Sequence, residues 1–159
     1  MNQWFASAMM MGLVSHGIFA NTSQWGNVDY HHSDIKEPLV IIGALSLDDV
    51  TVHRLAEIQG TATINHSHLK KAVTVVGTIQ AVDSQFLDGV YLKGEKAEFD
   101  GGILNGLVVE SQTPATIKLS GPLQVNGSIT FKGGHGTIVA DQQVVIHGNV
   151  TGATVRRAV

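Results

Sequence analysis

The sequence contains no cysteine. This absence excludes disulfide bonds, thiolate catalysis, thiolate metal sites and a lipid anchor carried on a cysteine. Aromatic residues make up 6% of the chain and charged residues 14%, whereas hydrophobic residues make up 43%. This balance is too apolar for a disordered chain, and the low charge favours a β-rich protein over a charged helical one. Gly, Thr, Val and Ile dominate the second half, a composition that is typical of strands and tight turns.

The chain also has no excess of basic residues, since its net charge is −3 and its pI is about 6.2. Nucleic-acid binding requires a basic face, so no nucleic-acid partner is expected.

No charged side chain occurs before Asp29. Within that stretch, residues 6–20 form an apolar run that has the length of a signal-peptide core and is short for a membrane span. We interpret residues 1–20 as a signal peptide that ends at Ala20, which predicts export to the periplasm, the cell surface or the extracellular space. An uncleaved membrane anchor and a buried N-terminal helix remain alternatives, because the run has no basic residue before it.

Glycine recurs at a constant spacing at Gly43, Gly60, Gly77 and Gly94. An apolar residue stands two positions before each of these glycines. A shorter and then a longer spacing bring Gly127 and Gly148 into the same frame, with Ser111 at the intervening position. A second apolar column with the same spacing is predicted at Val52, Leu69, Phe86 and Ile103.

Within each repeat the residues alternate as they do in a strand. Ile58, Gly60 and Ala62 are predicted to point inward, and Gln59 and Thr61 outward. One repeat cannot bury its apolar side alone, so stacked repeats are expected to share a core. The sequence predicts an all-β, single-stranded parallel β-helix (β-solenoid) of about seven rungs, each of about 17 residues. An antiparallel sandwich is the alternative, because it also has short alternating strands.

The repeat frame divides the chain into four segments. Residues 39–155 are assigned to the solenoid and residues 156–159 to a short tail. Residues 21–38 fall outside the frame and are interpreted as an N-terminal cap or a tether, and the glycine-rich segment 132–136 as a protruding loop.

The segment Leu123–Val155 resembles the bactofilin family, whose rungs follow a VxVxGxVxGxV-type pattern. The resemblance implies a compact β-helix that polymerises end to end without nucleotide. The predicted signal peptide departs from the cytosolic members of that family.

Histidine offers the only metal candidates. His66 and His68 form a His-x-His pair that places two imidazoles on one face of a strand, as zinc and copper sites require, with Asp49 or Asp83 as a third ligand. Exposed polar strand residues are the simpler interpretation, and no cofactor is expected. His31 and His32 alternate faces and make a weaker pair.

The remaining polar patterns indicate no catalytic site. The carboxylates scatter over several columns, and no long loop is available to enclose a cleft. Outward hydroxyl positions include Thr61, Thr63, Thr78, Ser128 and Thr130, and we interpret them as a solvated face rather than an ice-binding or glycan-binding one.

The sequence therefore predicts a non-catalytic exported structural or interaction protein that acts as a scaffold or assembly module. Partners are expected to be further copies that pair through the rung ends, another envelope protein, or a glycan. A carbohydrate-binding or, failing that, a carbohydrate-cleaving module is the alternative.

Overall fold

Parallel strands coil around one axis in the computed structural model, which describes residues 23–133 and 135–158. The strands are β1 (Ser23–His31), β2 (Asp34–Ile35), β3 (Leu39–Asp48), β4 (Thr51–Val52), β5 (Ala56–Asn65), β6 (His68–Leu69), β7 (Val73–Phe86), β8 (Val90–Leu104), β9 (Leu107–Ser111), β10 (Ala115–Val125), β11 (Ile129–Gly133), β12 (Gly136–Ala140), β13 (Val145–Ile146), β14 (Val150–Thr151) and β15 (Ala153–Arg157). Every pairing between them is parallel. The predicted β-solenoid is confirmed, with about eight rungs.

Each rung has three sides, as the second rung shows. Residues 39–42 form side 1, residues 44–48 form side 2 after a bend at Gly43, and β4 forms the short side 3. Side 1 begins at Leu39, Ala56, Val73, Val90, Leu107, Ile129 and Val150 in successive rungs. The spacing is constant up to Leu107, and the rungs that lead to Ile129 and Val150 are longer.

The core runs along the axis because like side chains stack above like. Ile58, Ala62 and Ile64 are buried, whereas Gln59 and Thr61 are exposed, as predicted. Phe86 and Phe99 meet edge to face with ring centroids 5.6 Å apart, an arrangement that adds to the area term of burial.

The glycine column marks the bend between sides 1 and 2. Gly43, Gly60 and Gly77 have φ near +137° and lie directly above one another. A Cβ atom on Gly60 would overlap the carbonyl oxygen of Gly43 in the rung before. In these three rungs only glycine allows the chain to bend with this φ and still keep the spacing of about 4.8 Å between rungs.

Residues 23–38 are part of the repeat, which corrects the prediction that this segment lies outside it as a cap or tether. β1 pairs with β3 in register over its whole length, and Gly26 lies against Gly43. β2 forms side 3 of the first rung and pairs with β4 of the second rung. At the other end β15 extends to Arg157, into the predicted tail.

Two of the six predicted structural glycines stand in another column. Val125 pairs with Leu104 and with Ile146 on side 3, so Gly127 and Gly148 belong to the corner after side 3 rather than to the glycine bend. The bend continues instead from Ser111 to Gly133. The predicted frame is wrong here because the rung between Leu107 and Ile129 is longer than the others. The extra residues bring Val125 and Gly127, which follow the same apolar-x-Gly pattern, close to the position where the frame expects the glycine bend.

A β-bulge after Lys93 corrects the last member of the second predicted apolar column. Val76 pairs with Lys93, but Thr78 pairs with Lys96, so β8 contains one extra residue there. Lys96 consequently points outward and Ala97 inward, and Phe86 stacks on Leu104 rather than on Ile103.

The predicted loop at residues 132–136 connects β11 to β12 at the glycine bend. Gly134 lies outside the described residues. The predicted signal peptide, residues 1–20, also lies outside them. No helix in the described part of the chain is long and apolar enough to span a bilayer.

Candidate functional site

The corner between sides 2 and 3 carries four residues in the left-handed conformation. His32, Asp49, His66 and Asp83 have φ values of 45°, 56°, 48° and 45° and occupy the same position in four successive rungs. We call them the His–Asp corner. Left-handed backbone costs about 1–2 kcal/mol for an L-residue, although Asp and His tolerate it better than most. The alternation of His and Asp at the repeat period is visible in the sequence, but its left-handed conformation is not.

Buried serines hold this corner in place. Ser67 and Ser84 are fully buried behind it. The Ser67 hydroxyl accepts a hydrogen bond from the backbone N–H of Val50 in the rung before, at 3.1 Å. The Ser84 hydroxyl accepts one from the backbone N–H of Ser67, also at 3.1 Å. Ser67 also donates to the carbonyl of Asn65 at 2.7 Å. These bonds satisfy backbone groups that the sharp turn removes from the ladder.

The imidazoles of the corner lie beside carboxylates. His32 Nδ1 is 2.8 Å from Asp49 Oδ2, and His66 lies between Asp48 at 3.7 Å and Asp83 at 3.8 Å. All of these side chains are partly or fully exposed, so water screens the pairs and each contributes little to stability.

The predicted metal ligands are only partly brought together. Asp83 lies near His66 as expected, but Asp48 takes the place foreseen for Asp49. His68 stands on β6 between Thr51 and Gln85, away from the left-handed corner. Within residues 23–133 and 135–158, no three His, Cys, Asp or Glu side chains form a group able to hold a metal ion.

A second polar cluster lies on side 1 of the fifth to seventh rungs. The Tyr91 hydroxyl donates to Glu110, which stands between Lys93 and Lys132 in its column. This hydrogen bond is the main cause that raises the pKa of Tyr91 and lowers the pKa of Glu110. Lys132 Nζ lies 5.9 Å from the centre of the Tyr91 ring. The cluster places charges of alternating sign on three neighbouring rungs of the surface.

The outward hydroxyl columns differ from those predicted. The column that begins at Asn27 and Ala44 continues through Thr61, Thr78, Lys96, Thr116, Thr137 and Thr154. Ser128 and Thr130, which are predicted to share an outward face with Thr61 and Thr78, lie on or next to side 1. Lys96 interrupts the threonines, so the face remains a mixed polar surface.

The two ends of the solenoid differ in exposure. Val28 and Tyr30 of the first rung are 6% and 5% exposed, whereas Val155 of the last rung is 38% exposed. Ile146, Val150 and Ala153 at the same end are only partly buried. The C-terminal end therefore presents apolar surface to solvent.

No protein-family model, curated protein or solved structure matches the chain. The structure shows a parallel solenoid but no match supports the bactofilin resemblance, so the functional argument rests on the chain's own surface.

Proposed function

We propose that this chain is a non-catalytic exported structural or interaction protein that assembles with copies of itself through the C-terminal end of its solenoid. The observation that carries the proposal is the outer edge of β15, with which no described strand pairs. The bactofilin resemblance also implies association through the ends of the solenoid, although a single self-complementary end gives a dimer rather than a polymer.

The backbone groups on that edge follow from the register of β15. Gly136 donates to the carbonyl of Gly152, and Ala158 donates to the carbonyl of Ala140. In a parallel ladder this alternation turns the N–H groups of Thr154 and Arg156 toward β12. The N–H and C=O groups of Ala153, Val155 and Arg157 consequently face outward, where another strand can pair with them.

Two copies that both use this end would meet about a two-fold axis. The exposed side chain of Val155 and the partly buried Val150 and Ala153 supply the apolar contact. The core side chains of the first rung offer less, because Val28 and Tyr30 are already buried, although Trp25 of that rung is 69% exposed. An interface between the two C-terminal ends is therefore favoured over one that involves the first rung.

Two arginines oppose this contact. Arg156 is exposed on the last strand, and Arg157 donates from Nη1 to the carbonyls of Asp141 at 2.9 Å and Val144 at 3.0 Å. Arg157 thereby occupies carbonyl groups with which side 3 of an additional rung would otherwise pair. Like charges at an edge resist pairing, and salt weakens this repulsion because the screening length falls to about 10 Å at 0.1 M.

Sedimentation of the purified chain over a range of salt concentrations tests the proposal. We expect a monomer at low salt and dimers as ionic strength rises. Val155→Pro should abolish association, because it removes an outward N–H, and it should leave the bonds to β12 in place. Arg156→Ser should shift association to lower salt. A chain that stays monomeric at high concentration and high salt would refute self-assembly.

A further inference from the structure

The corner between sides 3 and 1 concentrates basic residues in the first three rungs. It carries Lys36 in the first rung, Arg54 in the second, and Lys70 and Lys71 in the third, four of the ten Lys and Arg residues of the chain. His53 donates to the carbonyl of Ile35 and Lys70 to that of Val52, which places Lys36, His53 and Lys70 in one column. We call Lys36, Arg54, Lys70 and Lys71 the basic corner.

These four cations lack carboxylate partners within the described residues. All four are exposed, and none forms a salt bridge in residues 23–133 and 135–158. Glu37 is the one acidic residue among these corner positions in the three rungs, and Asp88 follows in the fourth. The corner is thus a local positive patch on a chain whose net charge is −3.

Two exposed leucines accompany the cations. Leu55 follows Arg54 directly and is 45% exposed, and Leu87, one rung after Lys70 in the same column, is 41% exposed. The corner is convex, since the chain turns there from one side of the rung to the next. Cations that flank protruding leucines match a bilayer surface, where the charges meet anionic headgroups and the apolar tips enter the interface. An anionic polymer in water would gain nothing from the leucines.

We infer that the basic corner docks on an anionic lipid surface, with Leu55 and Leu87 inserted at the level of the headgroups. This contact involves side chains of the first four rungs and leaves the C-terminal end of the solenoid free. It is therefore independent of the proposed self-association.

Co-sedimentation with lipid vesicles tests the inference. The full chain should bind phosphatidylcholine vesicles that contain phosphatidylglycerol and should bind pure phosphatidylcholine vesicles much more weakly. Each basic residue near an anionic membrane raises the partition coefficient of the protein onto the vesicles about fivefold. The double variant Lys70→Glu, Lys71→Glu replaces two cations with two anions and should lower binding by about a hundredfold or more. Leu55→Ser should lower it by about tenfold.

The matched control is Lys93→Glu with Lys96→Glu, which makes the same change in net charge on exposed residues outside the basic corner. Its binding should fall by less than about tenfold. The N-terminal apolar run is common to all variants and cannot produce a difference between them. Equal losses in the two double variants, or no preference for anionic vesicles, would overturn the inference. If Leu55→Ser binds anionic vesicles as well as the parent chain and the protein also binds a soluble anionic polysaccharide tightly, the ligand of the basic corner is a glycan and not a lipid surface.

Discussion

At position 75 the solenoid accepts only an apolar side chain. Val75 is fully buried and stacks between Ile58 and Leu92. Val75→Asp would bury an unpaired charge, so we expect it to prevent folding, at a cost of several kcal/mol. Thr78→Asp, three residues later on the outward face, should change the free energy of unfolding by about 0.5 kcal/mol or less. Urea denaturation of both variants is the measurement, and equal sensitivity at the two positions would contradict the assignment of faces.

Asp141 links the stability of the last rungs to pH. Its carboxylate accepts the backbone N–H groups of Gly121 and Gln143, both at 2.8 Å, and the bond from Gly121 is the main cause that lowers the pKa of this carboxyl. A carboxyl whose pKa falls on folding stabilises the folded state above its ordinary pKa of 3.8. That contribution is lost as pH falls through the lowered value.

Asp141→Asn should therefore unfold at lower urea than the parent chain near neutral pH, because the amide replaces a charged acceptor. The difference between the two midpoints should shrink as pH drops below about 4. A difference that is independent of pH would show that the charge of Asp141 contributes nothing.

At the scale of the strand, the glycine bend sets the spacing between rungs. Gly60→Ala would place a Cβ against the carbonyl oxygen of Gly43, and its φ of +137° disfavours any L-residue. We expect a loss of several kcal/mol or no folding. Gly26→Ala is the control, since nothing lies within 4 Å of its added Cβ although φ is +96°. Thermal melts of the pair should differ widely, and similar melting temperatures would refute the steric argument.

The strands also show where sequence reasoning succeeds. From Leu39 to Lys93 the side chains that stack stand one period apart, so the period predicts the core directly. The first rung was missed although Gly26 stands one period before Gly43. Beyond Lys93 the bulge and the longer rungs shift the register, and neither leaves a clear mark in a single sequence.

The candidate surfaces were harder to predict than the core. The His–Asp corner depends on left-handed backbone that two buried serines support, and the charge of Lys36, Arg54 and Lys70 is scattered along the chain until the rungs bring it together. A frame that includes the first rung would have shown the alternation of His and Asp and the shared column of Lys36 and Lys70, but not the left-handed backbone.

At the scale of the whole molecule, the solenoid is a rod whose two ends differ. The first rung buries Val28 and Tyr30 but exposes Trp25, and the last rung exposes Val155 beside an unpaired edge and two arginines. This asymmetry predicts association through the C-terminal end, with the sides of the rod left available for other partners, including the lipid surface proposed for the basic corner.

Single-cysteine cross-linking tests this central claim most directly, because the chain contains no native cysteine. Val155→Cys places a thiol on the last rung, and Asn27→Cys places one on the first. With a short bismaleimide at high salt, we expect Val155→Cys to give covalent dimers and Asn27→Cys to remain monomeric. Dimers from Asn27→Cys alone, or from neither variant, would contradict assembly through the C-terminal end.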